Sequence, residues 1–217
     1  MSQDEFAGAS YLSEDSLGFH SVTANDSFEH GTRFWGLVAG VSLSTQAGGV
    51  DGTPTAARIG PSTNNQNIFN TTRITDLQQV FGDGHLDVGD EYFARVNTKD
   101  VAAGNGGVVR MRAHVRPVRY EDLLDFGCNF YGDDKNTVEH FGNWTFTTAF
   151  CPPSTSWSWC DTAKQTPHAI GLPADIAADT PDAMEVRIRL TNLVEHPTTG
   201  VRQSVLVDRA RIKWDFT

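Results

Sequence analysis

Residues Met184-Glu185-Val186-Arg187-Ile188-Arg189-Leu190 alternate apolar and charged side chains without a break. A period of two is the signature of a β-strand with one wet face. A second alternation follows, Val205-Leu206-Val207-Asp208-Arg209-Ala210-Arg211-Ile212-Lys213-Trp214, with the polar residues Glu195 to Gly200 between them. The two read as a long antiparallel pair. β-Branched and aromatic residues lie on one side of this pair and arginines on the other, so its apolar face needs a second sheet to cover it.

The rest of the chain supplies the strands. Strand-like runs are Leu17–Val22, Arg33–Leu43, Ala56–Ile59, Ile68–Ile74, Glu91–Val96, Val108–Val118 and Trp144–Phe150, separated by Gly-, Pro-, Asn- and Asp-rich turns. The Gly104-Asn105-Gly106-Gly107 turn reads as a hairpin into Val108–Val118, the longest clean alternation. Tyr120–Asn143 loses the pattern to aromatic and acidic residues, and Cys151–Asp182 is an insertion rich in Pro, Ser, Thr and Ala, with room for a short helix only within Ala174–Ala178. Many short strands and no helix of ordinary length predict an all-β fold, an antiparallel jelly-roll β-sandwich with long loops. At 217 residues one domain is expected, 17–217, preceded by a polar N-terminal arm, 1–16, that carries Asp4, Glu5, Glu14 and Asp15. Such an arm suits docking to a neighbouring subunit.

The chain carries a net charge of −10, and only Lys99, Lys135, Lys164 and Lys213 among its 17 basic residues are lysines. Such a surface repels phosphate backbones, which argues against a nucleic-acid partner. Low lysine with abundant Asp, Thr, Gly and Ala is associated with halophilic or high-GC organisms. No apolar run approaches the roughly eighteen residues that a membrane span needs. Met1-Ser2-Gln3-Asp4-Glu5-Phe6 has neither the basic nor the apolar region of a secretory signal, so the expectation is a protein made in the cytoplasm. Cys128, Cys151 and Cys160 match neither a disulfide framework nor a zinc site. Three reduced thiols are expected inside a cell, and a Cys151–Cys160 bridge is open to a virion or secreted product.

The order of several short motifs resembles the jelly-roll, galactose-binding-like carbohydrate-binding modules of the family 4, 9 and 22 group. Asn25-Asp26-Ser27-Phe28-Glu29-His30-Gly31 followed by Trp35 is similar to their opening turn. Val88-Gly89-Asp90-Glu91-Tyr92 resembles their glycine turn into a tyrosine strand, Asn143-Trp144-Thr145 their tryptophan strand, and Val205–Ile212 their closing strand with its embedded aspartate. The resemblance implies a structural calcium at Glu29 and Asp208, an ion that wants about six to eight oxygen ligands. The residues themselves also allow a simpler role, with Glu29 accepting hydrogen bonds in its turn and Asp208 paired with Arg209 or Arg211.

Sugar sites need aromatic faces beside planar polar groups. Trp157 and Trp159 are the first candidates, two residues apart in the loop from Cys151 to Cys160 and pointing the same way if that loop is extended. Phe130 and Tyr131 are the second. Cover for the sandwich end or a subunit contact is the stronger reading of these tryptophans, whereas Trp35, Trp144 and Trp214 lie on strands and are expected in the core. Asp83, Asp87, Asp90 and Glu91 are explained as turn residues around glycines. Neither a Gly-x-Ser-x-Gly elbow, a His-x-x-x-His pair nor a phosphate loop is present, so no catalytic role is expected. The function expected is that of a virion structural or surface protein, a capsid decoration, turret or tail component, whose partners are other virion proteins, copies of itself and host-surface glycans. Its place would be the virion surface. The alternatives are a lectin-like module and, behind it, a small glycan-active enzyme.

Overall fold

The computed structural model describes residues 19–38, 40–61, 67–75, 91–101, 108–118, 145–152, 154–166, 183–193 and 203–215. These hold eleven strands: β1 (Phe19–Ser21), β2 (Gly36–Leu37), β3 (Leu43–Ala47), β4 (Thr55–Ile59), β5 (Ile68–Thr75), β6 (Tyr92–Asp100), β7 (Val108–Val118), β8 (Thr145–Cys151), β9 (Ser158–Asp161), β10 (Ala183–Leu193) and β11 (Val205–Asp215). They form two antiparallel sheets, one in the order β3-β4-β11-β6-β9 with β1 also on β11, the other in the order β2-β5-β10-β7-β8. From β4 onward the chain changes sheet at every connection except β7 to β8, which is jelly-roll connectivity. Among the described residues no helix is long and apolar enough to cross a membrane.

The two alternating C-terminal runs do not pair with each other. β10 lies between β5 and β7 in the second sheet, and β11 lies between β6 and the shared edge of β1 and β4 in the first. Each is central in its own sheet. Their apolar sides, Val186, Ile188 and Leu190 against Val205, Val207, Ala210, Ile212 and Trp214, are buried in one core. A period of two reports which side of a strand is wet, and says nothing of its neighbour. The hairpin read at Gly104–Gly107 fails for the same reason, because β6 pairs with β9 and β11 while β7 pairs with β8 and β10. The run 33–43 also divides: β2 joins the second sheet, the chain turns through Gly40 at φ 89°, and β3 joins the first.

The opening motif has a clear structural role. Asn25, in the left-handed region at φ 50°, donates from its amide to the Gly31 and Arg33 carbonyls at 3.1 and 2.9 Å and accepts from the His30 N–H. This fixes Phe28 in the core, stacked on Trp35 with ring centroids 4.8 Å apart. Trp35 and Trp214 are buried as expected, and Trp214 stacks on Tyr92 at 5.4 Å. Trp144 and the arm lie outside the described residues.

Cys151, at the end of β8, is bonded to Cys160 in β9, their Cα atoms 5.6 Å apart. Of the two states the sequence allows, three reduced thiols or a bridged loop pair, the structure has the bridge. β8 and β9 are edge strands of different sheets on the same side of the sandwich, and their registers against β7 and β6 bring the two sulfurs together. A bridge closing so short a loop removes enough freedom from the unfolded chain to contribute about 2–3 kcal/mol. Cys128 lies outside the described residues.

Candidate functional site

β7 and β10 pair along their whole length. Alternation buries Val109, Met111, Ala113 and Val115 of β7. It turns Arg110, Arg112 and His114 to the outer face, beside Arg187 and Arg189 of β10. Register then sets Arg189 opposite Arg112 and Arg187 opposite His114. On one flank β8 brings Phe150 opposite Arg110 and Phe146 opposite His114. On the other, β5 brings Phe69 opposite Arg189 and Thr71 opposite Arg187. Gly36 of β2 completes the row, since a β-carbon there would collide with the Phe69 ring.

The result is a four-strand face of guanidinium planes and phenylalanine rings. Arg112 lies over Phe146 at 4.9 Å and Arg187 over Phe69 at 5.2 Å. Arg187 is held in place by donating from Nε to Thr71 Oγ1 at 2.7 Å. Phe146 and Phe150 are 51% and 61% exposed, large apolar surfaces for strand residues. His114 is buried beneath, its ring 5.3 Å from that of Phe146. Burial, then Arg189, Arg187 and Arg112, push its pKa down to about 3, so the imidazole is neutral at ordinary pH. Burial likewise weakens the hold of Arg189 and Arg110 on their protons, with Arg112 adding to each, but arginine stays charged in water.

Trp157 and Trp159 stand on the other sheet. Trp159, 44% exposed, lies opposite Asn97 on the outer face of β6 and β9. The Arg95 and Arg211 guanidiniums sit 5.2 and 5.6 Å from its ring centre, and Lys99 Nζ is 5.9 Å from the half-buried Trp157. Because Arg95 and Lys99 share one face of β6, the two rings do point the same way. Arg95 is also clamped by Asp161, its Nε and Nη2 donating to the two carboxylate oxygens at 2.7 Å each. Phe130 and Tyr131 lie outside the described residues.

Asp208 is fully buried where β11 bulges between Asp208 and Arg211, with Arg209 in the left-handed region at φ 48°. Its Oδ1 accepts the Arg209 N–H at 2.7 Å, and its Oδ2 accepts the Val50 N–H at 2.8 Å and the Thr53 hydroxyl at 2.5 Å. Burial pushes this carboxyl above the usual range, and the three hydrogen bonds draw it back. Asp26, paired with Arg211 at 3.5 Å, is pushed up by burial too, with Asp208 contributing. A β-carbon on Gly49 would strike Thr53 Oγ1, Asp208 Oδ2 and the Thr55 carbonyl. Three oxygens converging on one small space fit the ligand chemistry of a hard cation. Glu29 is exposed on the adjacent turn, which is tied to β11 by the Ala210 N–H donating to the Asp26 carbonyl at 2.9 Å. Among the described residues no three His, Cys, Asp or Glu side chains cluster as a metal site.

No family model and no curated protein sequence matches the chain. Solved structures do. The enzymatically active domain of bacteriophage CBA120 tailspike protein 4 is similar over 88% of this chain and 21% of its own length, at 10% identity and a TM-score of 0.47. The CBM22-1 xylan-binding domain of Paenibacillus barcinonensis Xyn10C is similar over 88% of this chain and 93% of its own, at 11% identity and a TM-score of 0.45. TmCBM61, solved with β-1,4-galactotriose, is similar over 87% and 94%, at 10% identity and a TM-score of 0.42. At these identities the likeness is one of fold.

Of the residues singled out in the sequence, the structure sets Trp157 and Trp159 beside cations on one face of β6 and places Asp208 and Glu29 on neighbouring segments. The arginine and phenylalanine face escaped notice as a unit. Its signal was present in the Arg-x-Arg of both alternating strands, Arg110/Arg112 and Arg187/Arg189, but only the pairing of β7 with β10 makes the four adjacent.

Proposed function

We propose that this chain is a non-catalytic carbohydrate-binding sandwich that takes its ligand across the outer face of the second sheet. The observation that supports this reading most is the juxtaposition there of exposed Phe146 and Phe150 with guanidinium planes on the neighbouring strands. Aromatic faces receive the C–H surface of a sugar ring, and fixed planar donors receive its oxygens. Trp157 and Trp159 form the rival platform on the first sheet, although Trp159 already carries two arginines. A glycan array of the purified chain, beside Phe146→Ala/Phe150→Ala and Trp157→Ala/Trp159→Ala variants, separates the two. We expect the phenylalanine pair to lose binding by about tenfold or more and the tryptophan pair to keep it. The reverse moves the site to β9, and no binding by folded wild type leaves the resemblance as one of fold alone.

The setting we propose is a virion surface, with other virion proteins or copies of the chain as partners and host glycans as ligand. An internal bridge between sheet edges suits a protein that works outside a reducing cytoplasm. The arm at 1–16 would then resist protease in the assembled state, and a soluble monomer with a labile arm would count against this setting. A structural calcium is proposed at the Gly49 space, held by Asp208, Thr53 and Thr55, with Glu29 from the adjacent turn.

A further inference from the structure

We propose that the ligand of the second sheet is an acidic glycan, one of its uronate carboxylates being clasped between Arg112 and Arg189. The inference rests on that face being the glycan site, and it adds the charge the ligand must carry.

Arg112 and Arg189 are direct cross-strand partners. Like charges directly opposite one another oppose strand pairing, and no carboxylate among the described residues pairs with either. Elsewhere in the same chain three described arginines are matched by carboxylates: Arg95 with Asp161, Arg209 with Asp51, Arg211 with Asp26. With 27 acidic residues against 17 basic ones, carboxylates are plentiful, yet none among the described residues neutralises this pair. The Nε atoms of Arg112 and Arg189 are both buried without a hydrogen-bond partner, so each guanidinium has donor capacity that the fold leaves unused.

A planar carboxylate is the group that two guanidinium forks satisfy best, through parallel N–H···O bonds. Phe146 beneath Arg112 and Phe69 opposite Arg189 supply apolar surface on both sides of the pair, where the ring bearing the carboxylate and its neighbours would lie. A nucleic acid would press a phosphate at every step against a chain of net charge −10. A glycan puts its charge on a ring whose faces are apolar, which is what the flanking phenylalanines match.

The test is affinity gel electrophoresis of the full chain at low salt through polygalacturonate, alginate and hyaluronan, each beside its methyl-esterified counterpart. Neutral β-1,4-galactan and xylan, dextran sulfate and single-stranded DNA complete the set. At least one uronate should bind about tenfold or more tightly than its own ester, and added salt should weaken it. Arg112→Gln/Arg189→Gln should lose that preference while melting no lower than wild type, since a repulsion has been removed. Arg112→Lys/Arg189→Lys, which keeps the charge and loses the fork, should recover only part of it.

Equal binding of esters or neutral glycans, unchanged in the glutamine variant, overturns the acidic ligand and leaves glycan binding standing. Binding to no glycan of either kind removes both readings. Preference for dextran sulfate or DNA over every uronate overturns the carboxylate in favour of a sulfate or phosphate polymer.

Discussion

Acidification from pH 6.5 to about pH 3 should cost the protein on the order of 3–5 kcal/mol through one side chain, His114. Unfolded, this imidazole takes a proton near pH 6.5; folded, it does so only at about pH 3. Between those values the unfolded chain binds the extra proton, so stability falls as pH falls and is fully present only above the unfolded value. The cause lies on three strands. Arg112 shares β7 with His114, Arg187 faces it from β10 with Arg189 diagonal to it, and the Phe146 ring of β8 covers it. A proton there would be a buried cation beside three half-buried ones. Asp26 and Asp208 act in the opposite sense, because their raised carboxyls favour protonation of the folded state in acid. The comparison that isolates the histidine is urea unfolding of wild type and His114→Gln at pH 7, 5 and 4. Wild type should lose stability faster on acidification, and parallel profiles would show that His114 is not the cause.

Asp208→Ala should lower stability by about 3–5 kcal/mol, a fall in Tm of about 10 °C for a chain of this size. The substitution strands two donors at once, the Val50 and Arg209 N–H groups, and leaves the Thr53 hydroxyl only the Val50 carbonyl, 2.8 Å away, as acceptor. It also frees a bulge whose next residue is held at φ 48°. Asp208→Asn keeps an acceptor but aims an N–H₂ at a donor, so its loss should be smaller, about 1–3 kcal/mol. Thermal melts in EDTA measure this latch alone. Repeating them in calcium tests the cation: wild type should gain and Asp208→Ala should not. An equal response, or none, argues for a latch made of hydrogen bonds only.

The fold class was legible because alternation and turn residues are local quantities. Which strands are neighbours was not, and the misread partners of 184–190 and 205–214 show why. Both runs are equally apolar on one side, and two such strands bury that side as well by facing each other across a core as by lying side by side over a third element. Asp208 could be found because the closing strand around it resembles that of the carbohydrate-binding modules, embedded aspartate included. Its partners, Val50 and Thr53, sit in a Gly/Thr-rich connection that looks like any turn. The second sheet's face was hidden in a different way. Arg110, Arg112, Arg187 and Arg189 each look like ordinary solvent-facing positions, and only a register joining residues more than seventy apart turns four unremarkable side chains into one charged surface.

β11 has a further consequence for how the chain comes to be folded. It is the central strand of the first sheet, pairing with β1, β4 and β6, and it is the last of the eleven in sequence. On a ribosome, three strands destined for one sheet therefore emerge with their apolar sides made and their common partner still to come. The second sheet closes earlier, around β10, but it too waits for a strand that follows both its neighbours in sequence. Closing loops of this length before any pairing contributes makes for slow folding. It also leaves unpaired strand edges open to other chains in the meantime.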